Sequence, residues 1–399
     1  MNFARKLAAV AALSLPLYGV VGVGVANADL IHVVDDDGFA SATNCNAGTP
    51  AETTIQAGVD EAIAGDTVRV CPGLYEENVT IDKQLTVQGA RAGVDARNRL
   101  GSLSESVVDP TDDSTGSTFE IAASGVTLDG FYLAGNVNGP AVQTAADESG
   151  YRILNNRFIS NALGMDLAAG GTTPSTVIKN VFSANNENLG VVPASGNGIY
   201  SDRGLSNVLI DNNKFRSNLN AAILVAGQAD RVTASVNNSL GDGVFFGAFA
   251  GSGYRVINNT VANSSGSGIF FANASGITVQ KNKISDSAFS GIRMSGGVST
   301  ANVIGNTASG NGDQGISVSS MTPGGVNVRS NTTTANNGDG ILFAAGTTGN
   351  VIRSNKSSSN GNFDCEDNST GTGTAGTANS WLSNTGVTSD PARLCTPPV

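Results

Sequence analysis

From about residue 151 the chain alternates apolar and polar positions in short runs, interrupted by asparagine and glycine at recurring places. The frame is apolar-x-x-Asn, a short polar turn, then Gly-apolar-x-apolar. It reads ILNN at 153, VIGN at 303, VRSN at 328 and IRSN at 352. The framing asparagines are Asn156, Asn180, Asn213, Asn238, Asn259, Asn282, Asn306, Asn331 and Asn355, with successive spacings of 24, 33, 25, 21, 23, 24, 25 and 24. A second asparagine often follows five positions later, at Asn161, Asn185, Asn218, Asn311, Asn336 and Asn360. Then come GMDL, GIYS, AILV, GVFF, GIFF, GIRM, GISV and GILF, starting at residues 164, 198, 222, 243, 268, 291, 315 and 340.

A fixed period of this size is the mark of a solenoid. The units are too short and too rich in Gly, Asn and Ser for helix pairs, and they lack the fixed leucines of a leucine-rich repeat. The pattern therefore predicts an all-β coil of short strands, each stacked in parallel on its counterpart in the next coil. The recurring asparagines predict a ladder of stacked amides, structural rather than catalytic. About 11 to 13 coils would give a rod roughly 50–60 Å long at ~4.8 Å per strand.

Ahead of the repeats, TTIQAGVDEAIAG carries Ile55, Val59 and Ile63 at a four-residue spacing. Thr53-x-x-Gln56 reads as a capping box and Gly65 as the stop, which predicts an amphipathic helix over about 54–64. A solenoid has open strand edges at its ends. The helix would cover the first end, within a cap spanning 29–65. The regular coils would run over 66–362, and 363–399 would cover the last end. Two segments depart from the frame: a loop at 89–118, rich in Arg and carboxylates, and an insertion at 186–196. The first reads either as a flap beside a cleft or as an ordered loop stitched by its own ion pairs.

The repeat frame, together with TTIQAGVDEAIAGDTVRVCPGLYEENVTIDKQLTVQGA and the ARAGVDARNR that follows it, resembles short-repeat secreted members of the pectin-lyase-like superfamily. That resemblance implies a right-handed parallel β-helix. It implies little about activity, because the superfamily hosts lyases, hydrolases, esterases, epimerases and adhesins.

Side chains alternate across a strand, so the third position of Gly-apolar-x-apolar faces outward. Coil by coil that position reads Asp166, Tyr200, Leu224, Phe245, Phe270, Arg293, Ser317 and Leu342. Tyr200, Leu224, Phe245 and Phe270 form an apolar and aromatic row bracketed by Asp166 and Arg293. Such a row suits the apolar faces of sugar rings or a protein partner. Two other readings stand beside it: cover by the chain's own loops, such as GAFAGSG, and a register wrong by one.

Composition then narrows the setting. The first residues, MNFARKLAAVAALSLPLYGVVGVGVANA, have a basic start, an apolar run and a small-x-small site, which predicts a secretory signal peptide over 1–28 cleaved after Ala28. Its loss would take the formal charge from −11 to −13 by removing Arg5 and Lys6. That balance argues against nucleic acid or an anionic membrane as partner. An acidic polysaccharide would need a local basic patch. After cleavage no apolar stretch is long enough to span a bilayer. The four cysteines suit disulfides in an exported protein. Cys45–Cys71 and Cys365–Cys395 are favoured among the three pairings because the two pairs lie far apart in the chain.

The chemistry legible in the sequence is sparse. Resemblance to β-helix lyases would imply an Arg or Lys base, usually with calcium held by outward carboxylates. The nearest approach is Asp166 with Asp202 and Arg203. Calcium is implied only on that reading; otherwise no cofactor or metal is expected. A single histidine, His32, sits near the predicted cap, and Met165, Met294 and Met321 are scattered, which argues against copper. Asp242 and Asp339 precede turn glycines, and a turn role explains them. The sequence favours an exported glycan-binding β-helix, with a lyase-like enzyme and a non-catalytic adhesin or rod as alternatives.

Overall fold

A computed structural model describes residues 30–41, 43–99, 104–110, 116–320 and 324–397. The expected signal peptide lies outside them. The described chain winds into a right-handed parallel β-helix. Its three sheets hold 14, 12 and 13 strands, each paired with strands about one coil away in sequence. One coil shows the plan. Arg152–Leu154 lies in the first sheet, Arg157–Ile159 in the second and Leu163–Asp166 in the third.

The corners explain why asparagine recurs. The residue ahead of each ladder asparagine takes a left-handed backbone: Asn155 (φ 52), Lys179 (φ 59), Asn212 (φ 59) and even the β-branched Val236 (φ 54). For a residue with a Cβ this conformation costs roughly 1–2 kcal/mol. The amide that follows offsets it. Asn259 donates through Nδ2 to the Ala234 carbonyl at 2.9 Å and to Asn282 Oδ1 at 2.9 Å, and its backbone N–H donates to the same Oδ1 at 3.0 Å. Its own Oδ1 accepts from the backbone and side chain of Asn237. Each buried amide thus satisfies its hydrogen-bonding capacity against the coils on either side.

The ladder runs Asn156, Asn180, Asn213, Asn237, Asn259, Asn282, Asn306, Asn331, Asn355 and on to Asn384. The expected Asn238 is corrected to Asn237. Asn237 is buried and bonded in the column, whereas Asn238 is exposed on the second sheet. The positive φ falls at Val236, which puts the inward turn on the next residue. A second ladder occupies the following corner through Asn161, Asn185 and Asn218, then Asp242.

The core shows how the glycine of each coil is set. Phe158, Phe182 and Phe215 stack inward from the second sheet at centroid distances of 4.3 and 5.1 Å. A Cβ on Gly198 would sit 2.9 Å from the Phe215 ring, and one on Gly164 2.9 Å from the Phe182 ring. In the next coil Ser239 replaces the phenylalanine, and Phe245 fills the vacated space from the glycine slot, 6.4 Å from Phe215.

The helix covers Ile55–Glu61, shorter than the expected 54–64. Its N-cap is Thr54, whose hydroxyl accepts from Ala57 N, and the Glu77 carboxylate accepts from Ile55 N and Gln56 N. The expected Thr53–Gln56 box is therefore absent: Gln56 instead donates to Asp60 at 2.7 Å. Ile55 and Val59 are buried, but the helix has ended before Ile63, which is exposed. Disulfides join Cys45 to Cys71 and Cys365 to Cys395. Among the described residues no helix is long and apolar enough to cross a membrane.

Two predictions follow from the corners. Asn237→Ala strands two buried donors of Asn213 and should cost about 2–5 kcal/mol in urea unfolding, while Asn238→Ala should change it by less than about 0.5 kcal/mol. Asp242 is fully buried, and burial pushes its carboxyl up to about 6. The folded chain then holds a proton that the unfolded chain has released, so this group's contribution falls as pH rises from about 4 to about 6. Asp242→Asn should match the parent near pH 4 and exceed it by roughly 3 kcal/mol at pH 8 in parallel urea titrations.

Candidate functional site

The third sheet presents one outward residue per coil in this region. Hydrogen-bonded register links Asp166 to Tyr200, Tyr200 to Leu224, Leu224 to Gly247, Gly247 to Phe270, Phe270 to Arg293, Arg293 to Ser317 and Ser317 to Leu342. Phe245 is therefore corrected out of the row. Phe246, not Val244, pairs with Ile223 and Ile269, so the frame falls two residues later in this coil than GVFF implies. Phe245 points into the core, and Gly247 takes the outward place.

Of the others, Tyr200, Leu224 and Phe270 are half-buried and Arg293 is exposed. At ~4.8 Å per coil, Tyr200 and Phe270 stand roughly 14 Å apart. Gly247 is buried because the Leu224 side chain leans over it: a Cβ there would meet Leu224 at 2.9 Å. The GAFAGSG loop covers the row only in part. Its Phe249 packs edge-on against Phe270 at 5.4 Å but keeps 42% of its own surface exposed. The loop thus widens the aromatic surface. Arg293 lies over the Phe270 ring at 5.7 Å, a cation–π contact that holds the ring in place.

At one end of the row the structure brings together Asp166, Tyr200, Asp202 and Arg203. Arg203 Nη2 pairs with Asp166 Oδ2 at 2.9 Å, and the Tyr200 hydroxyl donates to Asp202 Oδ2 at 3.3 Å. The other Asp166 oxygen is buried without a hydrogen-bond partner. Burial raises the Asp166 carboxyl against the pull of Arg203. Burial and the Asp202 charge raise the Tyr200 phenol. Arg203 also borders a depression of about 270 Å³ lined by Ala146, Gly170, Leu205, Gln228 and Asp230.

Two carboxylates beside an arginine are a poor donor set for calcium, which takes six to eight oxygens. Among the described residues no three His, Cys, Asp or Glu side chains converge as a metal centre would need. His32 is engaged elsewhere, at 2.8 Å from Asp66.

The described part of the 89–118 segment is stitched by its own pairs: Asp95 with Arg97, and Arg99 with Glu105 at 2.9 Å. It also overhangs a cleft on the second sheet that the sequence reading did not single out. Arg157, Lys214 and Arg216 line it with Arg97 and Arg99. The signal was periodic: Arg157 and Lys214 directly follow the ladder residues Asn156 and Asn213.

Residues 75–240 and 242–389 match the family model described as the right handed beta helix region. No curated protein sequence matches the chain. Among solved structures, the A-module of a mannuronan C-5 epimerase from Azotobacter vinelandii is similar at 17% identity and a TM-score of 0.51, over 83% of this chain and 88% of that one. DFA-IIIase of Arthrobacter chlorophenolicus without its lid is similar at 14% identity and a TM-score of 0.54, over 80% of this chain and 94% of that one. At these identities the likeness is one of fold.

Removing the guanidinium leaves burial and Asp202 acting unopposed on Asp166. Arg203→Ala should move the Asp166 titration further upward, read by carboxyl NMR, whereas Arg293→Ala should leave it in place.

Proposed function

Because this chain belongs to the right-handed β-helix family, we propose that it is an exported protein that binds a polysaccharide or surface glycan along the outward row of the third sheet. The observation that carries this reading is the continuous run Tyr200, Leu224, Gly247, Phe270 and Arg293 on consecutive coils, with Phe249 beside it. Half-exposed Tyr200 and Phe270, roughly 14 Å apart with Leu224 between them, offer sugar rings an apolar surface, and Arg293 and Asp202 border it with polar groups. A similar fold carries an epimerase named for mannuronan, which is compatible with a long outer face receiving a chain but assigns no substrate. Export rests on the expected signal peptide and accords with the two disulfides.

A second reading draws on the free, buried oxygen of Asp166. A carboxyl raised by burial, with Arg203 and the Tyr200 phenol beside it, is a set of groups suited to proton transfer at one end of the bound chain. It would make the glycan a substrate of a lyase-like β-elimination. The adhesin alternative differs in its ligand: the row would then pack on another protein.

Affinity electrophoresis through gels holding neutral or acidic polysaccharides tests the binding reading. The parent should be retarded in one gel, and Tyr200→Ala/Phe270→Ala should bind at least about tenfold more weakly, ~1.4 kcal/mol. Free migration of the parent in every gel would contradict it. Where a gel retards the parent, ultraviolet absorbance of an unsaturated product, lost in Asp166→Asn, would establish the elimination; its absence would leave binding alone.

A further inference from the structure

The turn that closes the N-terminal cap holds three consecutive carboxylates, Asp35, Asp36 and Asp37. It joins the strand Ile31–Val34 to the hairpin of Phe39–Ser41 and Asn44–Pro50. Its backbone bonds hold the cap together. Asp35 N donates to the Glu52 carbonyl at 2.8 Å, Gly38 N to the Asp35 carbonyl at 2.9 Å and Glu52 N to the Val33 carbonyl at 3.1 Å. Two of the three carboxylates have backbone donors from elsewhere in the cap. Asp36 Oδ2 accepts from Leu74 N at 3.2 Å, and Asp37 Oδ1 accepts from Phe39 N at 2.9 Å. Asp35 differs: it is only 3% exposed, and its Oδ2 is buried with no hydrogen-bond donor among the described residues.

A buried carboxylate oxygen without a donor is costly when ionised, and neighbouring carboxylates raise that cost. The Asp36 carboxyl stands within hydrogen-bonding reach of Asp35. A proton held between the two supplies the missing donor and removes one of the clustered charges. Burial first, then the charges of Asp37 and Asp36, push the Asp35 carboxyl up to about 6, and the Asp36 N–H opposes them by less. The other titratable groups at this end are engaged otherwise. Tyr75 spends its hydroxyl on the Cys71 carbonyl at 3.0 Å, and burial keeps it protonated. Glu77, also raised by burial, accepts from Ile55 N and Gln56 N. His32 faces Glu61 and Asp66. The Glu52 side chain is a further carboxylate. Arg69, in register with Val33 on the neighbouring strand, is not among the groups that chiefly set the Asp35 carboxyl.

We propose that Asp35 and Asp36 form a pH-sensitive latch: a proton shared by their carboxyls holds the cap turn closed, and its release loosens the turn and the hairpin that follows. The latch is independent of the glycan row. The Cys45–Cys71 disulfide keeps a loosened cap tethered, so the opening is local and reversible. Closed, the turn keeps its proton up to about pH 6; opened to water, Asp35 releases it near its ordinary value of about 3.9. The closed state is therefore undiminished below about pH 4, weakens as pH rises to about 6 and changes little above that.

Amide hydrogen exchange of the full-length chain at pH 4.5 and 7.5, corrected for the intrinsic pH dependence of exchange, tests the latch. Protection of the Asp35 and Gly38 amides should fall at least about tenfold between these two values in the parent. Asp35→Asn places a permanent donor beside Asp36. Its protection should stay within about threefold across the same range and exceed the parent's at pH 7.5. Asp242→Asn, in a distant coil, should leave the parent's fall in place, and the unfolding midpoint of each variant reports that it is folded. Equal protection of the parent at both pH values, an undiminished fall in Asp35→Asn, or a loss of protection in Asp35→Asn at both pH values would overturn the latch.

Discussion

The structure depends on a buried amide that bonds in two directions along the helix axis. Most corners between the first and second sheets put a side-chain-bearing residue into left-handed backbone, and a column of such corners would be costly in isolation. The asparagine that follows turns inward and closes hydrogen bonds to the coil before and the coil after. Its geometry permits one register only, because a one-residue slip would bury an unpaired amide. The ladder therefore fixes which side of every following strand faces the core, and so which residues can form a surface for ligands.

This coupling explains why the third-sheet row is where it is. Counting from the ladder, the inward positions fill with phenylalanine, isoleucine and valine, and the opposite positions carry Tyr200, Leu224, Phe270 and Arg293. The coil containing Phe245 departs from the pattern in a way that conserves volume. Ser239 gives up the space that Phe215 fills one coil earlier, and Phe245 takes it from the glycine slot. The exchange appears outside as Gly247, a place in the row without a side chain that Leu224 leans over. A packing adjustment in the core thereby shapes the surface.

The parallel β-helix and the Asn column were legible because their periods survive the variation of individual residues. The misreadings fell where two candidates sat side by side. Asn237 and Asn238 both fit an asparagine frame, and even spacing would have favoured Asn237. Phe245 and Phe246 both satisfy an apolar slot, and only the partner Ser239, in the preceding strand, decides between them. The helix ended ahead of Ile63 because apolar spacing marks a face but not the length over which backbone bonds continue. The gathering of Asp166, Asp202 and Arg203 was visible as a weak grouping, since one coil separates them. The second-sheet cleft escaped notice because its wall at Arg97 and Arg99 lies about 60 residues before Arg157 and more than 110 before Lys214, and no short motif records that closure.

The claim that the outward third-sheet row receives a glycan is tested most directly by hydroxyl-radical footprinting of the protein with and without a polysaccharide that retards it. The account predicts that oxidation of Tyr200, Phe249 and Phe270 falls severalfold in the complex while Phe289, exposed elsewhere, is unchanged. Protection confined to another face, with those three rings as reactive as in the free protein, would contradict it.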